Sequence, residues 1–307
     1  MPKPDATIVL VVGSLHHDIM IEADHLPRRD ETAVGRRWYP KFGGKGGNQA
    51  VAAQRAGGAT RMAGAVGKDG FGAFLTARLD AEGIDRRFVQ EIAGLGSGMS
   101  VAVVDAGGNY AATIVSGANL GIDPRLLDDE ALWSGVGALV LQNEIPEAIN
   151  IAAATQARRR GMRVILNAAP ARVLPLALRA MVDVLVVNAV EAEMMGAEPV
   201  TDLASALSAA RNLAASFGSV IVTAGSAGLA VWTLEDEQMT LAARMVQVVS
   251  SHGAGDCFVG TLAAAMARGA PLIEACETAS QAAALHVSAQ PDPAAAQVSD
   301  EECSWLA

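Results

Sequence analysis

The segment SSHGAGDCFVG, residues 250–260, sets Gly253, Ala254 and Gly255 before a single carboxylate, Asp256, and then runs on into an apolar stretch. Gly253 and Gly255 allow a tight turn into a helix. The first N–H groups of that helix have no partner inside it and, aided by the helix dipole, form a hole for an anion such as phosphate. Two roles for Asp256 stay open at this point. It is either a carboxylate that caps the helix, or a general base that takes a proton from an attacking hydroxyl during phosphoryl transfer. Cys257 and His252 lie nearby, but no third group orients them as nucleophile and base, so Cys257 reads as packed under the loop.

A second glycine cluster, FGGKGGNQAVAAQRAGG (42–58), also opens a helix. It is not a Walker A loop: Tyr39 stands where the first glycine should be, and Gly46 rather than Ser or Thr follows Lys45. Gly43, Gly44, Gly46 and Gly47 would let a polyhydroxylated ligand approach the backbone, with Lys45 and Asn48 supplying hydrogen bonds; the competing reading is a flexible loop with a solvated lysine. His16, His17 and Asp18 form an HHD run with no further clustered ligand, which favours hydrogen bonding over a metal site.

The chain that must position these groups has 307 residues, of which 51% are hydrophobic, enough for a substantial core. Its 23 Lys and Arg against 33 Asp and Glu give a net charge of −10, with no dense basic run, which argues against a nucleic-acid partner. Cys257, Cys276 and Cys303 form no C-x-x-C pair, consistent with a reducing, cytoplasmic setting. The N-terminal run TIVLVV is too short for a membrane span.

Apolar runs without alternation at 7–13, 137–142, 163–167, 183–188 and 219–223 are expected of parallel strands covered on both faces. Helix-compatible stretches at 46–56, 71–82, 147–160, 203–216 and 255–268 lie between or after them, several ending at a glycine: Gly57, Gly83, Gly161 and Gly269. The pattern predicts one α/β domain over 1–307, with a doubly wound, mostly parallel sheet flanked by helices. Segments 20–42 and 97–116 read as extended, the second turning at Ala106 to Asn109, and predict a small inserted β lid. After Ala289 the composition predicts a loose tail with a short helix. His286 reads as a partly buried structural histidine. Polar or glycine residues cluster after the strands, at Gly13 to Asp18, Asn143 and Glu144, Asn167, Asn188, and Thr223 to Gly225, with Gly253 to Asp256 joining them; in an open sheet they share the ligand-binding rim.

Together and in this order, FGGKGGNQAVAA, GAGDCFVG and the shorter pieces GSLHHDI, GAVGKDGFG, VSGAN, LQNEIP, NAAPAR, NAVEAE and TAGSAG resemble the ribokinase (PfkB) family of carbohydrate kinases, most closely its ribokinase branch. The resemblance covers nearly the whole chain to about residue 290. It implies ATP-dependent phosphorylation of the primary hydroxyl of a small sugar, ribose or a related pentose. Alternatives are a nucleoside or keto-sugar acid acceptor, to which His16 draws attention, and a catalytically weak sugar- or nucleotide-binding regulator. The implied catalytic groups are Asp256 as base and the Gly253, Ala254 and Gly255 amides on the transferred phosphoryl. The implied sugar ligands are His16, Asp18, Gly44, Lys45, Asn48 and Glu144, with His16 standing where ribokinases carry Asn. The implied nucleotide contacts are Asn188, Thr223, Gly225 and Gly228, with Glu191 ordering Mg2+ through water. A homodimer through the lid is also implied. Ser250 and Ser251 replace the family's Asp-Thr beside a monovalent-cation site, and the segment after Val287 is shortened, so K+ activation does not carry over with the rest.

Overall fold

The structure is a computed structural model that describes residues 7–289; the expected tail and Cys303 lie outside them. The chain opens with β1 (Ile8–Val12), then β2 (His16–Ala23), β3 (Gly35–Gly43), α1 (Lys45–Arg55), β4 (Thr60–Gly67), α2 (Gly70–Ala81) and β5 (Asp85–Ile92). β6 (Met99–Val104) and β7 (Tyr110–Val115) precede α3 (Glu130–Trp133), β8 (Val136–Gln142), α4 (Glu147–Arg159), β9 (Arg163–Asn167), α5 (Leu176–Arg179), β10 (Val184–Asn188) and α6 (Ala189–Met194). α7 (Leu203–Ala214), β11 (Ser219–Thr223), β12 (Gly228–Trp232), β13 (Gln238–Ala242), α8 (Ala254–Ala267) and α9 (Leu272–Ser288) complete it.

Nine strands form one sheet in the order β13-β12-β11-β10-β9-β8-β1-β4-β5. Every neighbouring pair from β11 to β5 is parallel, and β12 and β13 add an antiparallel edge. β1 is buried on both faces, as its unbroken apolar run predicts. Val9 and Val11 pack with Ala50, Leu262 and Ala263 of α1 and α8, while Leu10 and Val12 pack on the opposite side with Ile149 and Ala153 of α4. Each such side chain contributes roughly 1.5–3 kcal/mol by leaving water. The chain leaves β1 for β4 on one side and reaches β8 on the other, so β1 is the switch point of the sheet, where the rim opens into a crevice. The expected lid is a second sheet, ordered β3-β2-β6-β7, and a turn at 105–109 closes the β6–β7 hairpin. Only residues 13–15 separate β1 from β2, so the lid grows directly out of the switch-point strand.

The sequence reading did not find β4, β5, β12, β13 or α9. In β4 a charged residue interrupts the run: Arg61, only 6% exposed, is neutralised by Asp85 on β5 at 2.8 Å and donates to the carbonyls of Ala131, Leu132 and Ser134. β5 reads DRRFVQEI because it is an edge strand with one face toward water. Among the described residues no helix is long and apolar enough to cross a membrane.

α8 is buried from Phe258 to Ala267, packed among α1, α9 and the sheet. Its small residues allow this closeness. A Cβ on Gly260 would overlap the Gln49 carbonyl oxygen and stand 2.6 Å from the Ala52 Cβ of α1. Gly260→Ala therefore has to push α1 and α8 apart. It is expected to destabilise the protein by about 1–3 kcal/mol, read as a lower Tm in thermal melting; an unchanged Tm would contradict this close packing.

Candidate active site

Gly253 is the N-cap of α8 with φ 79°, a left-handed conformation that favours glycine. Gly255 and Asp256 occupy the second and third helical positions, too early in the helix for their N–H groups to find an acceptor within it. Among the described residues these two amides and that of Gly253 have no backbone acceptor, whereas the Ala254 N–H turns to the Ser251 carbonyl at 3.3 Å. The opening of α8 thus presents unpaired donors and the positive end of a helix dipole.

Asp256 does not cap the helix, since no side chain hydrogen-bonds at the Gly253 N-cap. Its carboxylate instead leans across to α1, where Asn48 Nδ2 donates to Oδ2 at 3.1 Å and Gln49 Nε2 donates to Oδ1 at 2.9 Å. Gln49 is fully buried and also donates to Asn167 Oδ1 at 3.0 Å, linking the carboxylate to the end of β9. Burial pushes the Asp256 pKa up to about 6, and the Glu144 charge adds to the rise; the Lys45 cation and the two amide donors oppose it. The carboxylate therefore changes protonation closer to neutrality than an ordinary aspartate.

The second glycine cluster works differently from its open-loop reading. Gly44, with φ 85°, caps α1, and a Cβ there would lie 2.7 Å from the His16 amide nitrogen; one on Gly46 would lie 2.6 Å from that of Ser14. These glycines let α1 dock onto residues 13–16, so their backbone is occupied by protein. The first amides of α1 are spent in the same way. Lys45 N–H donates to Glu144 Oε2 at 2.9 Å, and Gly46 and Gly47 donate to the Ser14 hydroxyl and carbonyl. The Ser14 hydroxyl in turn donates to Glu144 Oε2 at 2.5 Å.

β2 carries His16 and Asp18 on one face of the lid, two residues apart. Asp18 pairs across β3 with Lys41 and across β6 with Ser100, whose hydroxyl donates to Asp18 Oδ1 at 2.5 Å. His16 is buried, with Nδ1 3.9 Å from Glu144 Oε2 and Nε2 without a hydrogen-bond partner. Burial holds Lys41 below the usual lysine range, opposed by the Asp18 charge. His17 turns to the other face, stacks on Phe71 at 4.1 Å and meets Phe74 edge-on, so it packs where the sequence reading expected hydrogen bonding, and its Nδ1 is buried without a partner. Asn119 pins the start of β2 by hydrogen bonds to both the amide and the carbonyl of Leu15.

Further along the rim, Asn188 ends β10 and caps α6 in a capping box with Glu191. Burial raises the Glu191 pKa, while the Asn188 amide and the Lys45 charge lower it. Lys45 therefore acts electrostatically on both Glu191 and Asp256. Thr223 lies beside Asn188 at the end of β11. Gly225 has open space at its Cβ position, whereas a Cβ on Gly228 would overlap the Leu241 carbonyl. Among the described residues no group of three or more His, Cys, Asp or Glu side chains is placed to hold a metal ion.

Sequence reasoning gave no role to Gln49, Ser14, Ser100 or Asn119, which hold the other groups in place, although Ser14 lies in the Gly13 to Asp18 cluster and Asn119 in VSGAN. Gln49 stood inside the glycine-rich motif, beside Asn48, and only the α1–α8 packing reveals its partner. His286 is exposed, not partly buried, and contacts the 252–253 turn.

A family model described as pfkB family carbohydrate kinase matches residues 6–292. The chain is 32% identical over 265 residues to a ribokinase of Mus musculus, covering 85% of this chain and 82% of that one. It is 31% identical over 258 residues to a deoxyribokinase of Salmonella typhimurium, covering 83% and 84%. The structure of Arabidopsis thaliana ribokinase complexed with ribose and ATP superposes with a TM-score of 0.85 at 28% identity, covering 95% of this chain and 96% of that one.

The raised Asp256 pKa fixes the sign of a stability effect. The folded state holds this proton more tightly than the unfolded chain, so the contribution of Asp256 to stability falls as pH rises from about 4 to about 6 and stays low above. Asp256→Asn removes that slope. The variant is expected to gain stability relative to the parent by on the order of 1 kcal/mol between pH 4 and 7.5. Melting curves at the two pH values check this, and a constant difference between the proteins would contradict it.

Proposed function

Because the chain belongs to the pfkB family of carbohydrate kinases, we propose that it transfers the γ-phosphoryl group of ATP to the primary hydroxyl of a pentose, ribose or a close relative. The observation that carries this reading is the Asp256 carboxylate, held by Asn48 and Gln49 beside the unpaired amides that open α8. In the reaction Asp256 accepts the proton of the attacking hydroxyl as its oxygen bonds to the γ-phosphorus and the bond to the ADP oxygen breaks. The Gly253, Ala254 and Gly255 amides receive the charge spread over the transferred group, with Ala254 exchanging its long bond to Ser251 for a phosphoryl oxygen. Lys45 adds a positive charge on the acceptor side.

Asp18, Glu144, Asn48 and His16 orient the sugar, whereas the backbone of Gly44 is taken up by its packing on Leu15 and His16. Glu144 keeps Oε1 for a hydroxyl because only Oε2 is spent on Ser14 and Lys45. His16 Nε2, buried and unpartnered, is a further hydrogen-bonding position. Asn188, Thr223, Gly225 and Gly228 line the nucleotide end of the rim. Glu191 suits Mg2+, because its capping box uses Oε2 and leaves Oε1 free, and one carboxylate is enough for an ion that keeps water and phosphate ligands. Bound with ATP, that ion would neutralise phosphate charge. The reducing cytoplasm is the expected setting.

Lys41 favours a second acceptor class. It is a half-buried cation opposite Asp18, with no ion pair among the described residues, and would suit the carboxylate of a keto-sugar acid. We also propose that two lids meet in a homodimer, since Trp38, Tyr110, Ile114 and Val115 of the lid sheet are each more than half exposed. Sedimentation at twice the monomer mass is expected; a monomer at all concentrations would contradict that arrangement.

ADP release with Mg-ATP across pentoses, 2-deoxypentoses, hexoses, keto-sugar acids and nucleosides tests the main reading. Pentoses are expected to give the highest kcat/KM, falling about tenfold per pH unit below about pH 6 as Asp256 protonates. A keto-sugar acid as best acceptor would transfer the assignment to the second reading, and no turnover on any acceptor would refute both.

A further inference from the structure

The loop over 249–253 that delivers the α8 amides contains no carboxylate: it reads Val, Ser, Ser, His, Gly. The Ser250 hydroxyl already accepts from the His252 N–H at 3.3 Å. A monovalent cation bound through a charged side chain of this loop does not fit these residues. The loop is tied instead to the last turn of α9. The Val249 and Ser250 amides both donate to the Val287 carbonyl, at 2.8 and 3.2 Å, and His286 Nε2 lies 3.0 Å from the His252 carbonyl oxygen. A ring nitrogen facing a carbonyl oxygen has to carry the proton, so His286 is the donor. The same nitrogen stands 3.2 Å from where a Cβ on Gly253 would be, against the turn from which the unpaired amides project. Val287 belongs to the final turn of α9, whose carbonyls the helix itself leaves without partners. The end of one helix is thus satisfied by the loop that begins another.

The geometry points to His286, together with the Val287 carbonyl, as the positioning device of the anion-binding loop, holding residues 249, 250 and 252 by direct hydrogen bonds and so placing the Gly253–Gly255 amides that follow, so that turnover needs no monovalent cation. Such amides act through pre-set placement, and small displacements weaken them steeply. His286 is exposed and touches no reacting atom, so its replacement leaves the core intact. This inference rests on the kinase reading only for its kinetic arm.

The test uses the full chain, His286→Ala, and His286→Gln, whose side-chain amide can still donate. Hydrogen exchange followed by mass spectrometry over 249–257, with no substrate present, is expected to quicken about tenfold in His286→Ala and to stay near the parent rate in His286→Gln. With Mg-ATP and the best acceptor, His286→Ala is expected to lose about tenfold in kcat at unchanged acceptor KM, with most of the loss restored in His286→Gln. The parent kcat should change less than about twofold between potassium and Tris buffers. Unaltered exchange or kcat in His286→Ala would overturn the positioning role, and strong stimulation of the parent by potassium would overturn the cation independence. A parent with no turnover on any acceptor would count against the kinase reading, while the exchange data would still decide the role of His286.

Discussion

Two side-chain amides on α1, Asn48 and Gln49, grip the carboxylate of Asp256 on α8, and that grip requires the helices to touch backbone to side chain. Gly260 supplies the closeness on one helix, and Ala52 and Ala53 supply it on the other. The docking of α1 in turn depends on glycines 44 and 46, which bring its N-terminus against residues 13–16 at the switch point of the sheet. The candidate base, the amide-rich start of α8 and the acceptor-side residues of the lid therefore derive their relative positions from one stack of small residues.

This packing also sets the electrostatics. A carboxylate drawn among helices and given amide partners rather than an arginine has a raised pKa, and Lys45 restrains the rise from nearby without forming an ion pair with it. Lys45 is held through its backbone, whose N–H is fixed to Glu144, and its charge acts on both Asp256 and Glu191. Glu144 anchors the start of α1 through Oε2 alone, and its Oε1 makes no hydrogen bond among the described residues.

Much of this was legible in the sequence. The five apolar runs are strands of the main sheet, and Gly57, Gly83, Gly161 and Gly269 all have positive φ just past their helices. The lid hairpin turns where Ala106 to Asn109 suggested. The part that was not legible shares a cause, which is long-range compensation. Arg61 hides β4 because its charge is cancelled by an aspartate and carbonyls far away in sequence, and the polar face of β5 reflects its place at an edge. The glycines of the second cluster looked like an open ligand cradle, since nothing local shows that Ser14 and His16 occupy the space beside them. Gln49 sits inside the glycine-rich motif and His286 in no motif, and each acquires its role from a partner more than thirty residues away.

In the proposed reaction Asp256 removes the proton while its neighbours hold the substrates. The most direct measurement is single-turnover phosphoryl transfer by Asp256→Asn with saturating Mg-ATP and the best acceptor, alongside calorimetric binding of each ligand. The rate is expected to fall by about a thousandfold or more with ligand affinities changed only a few-fold. A variant that turns over within about tenfold of the parent would contradict it and leave Asp256 a structural carboxylate.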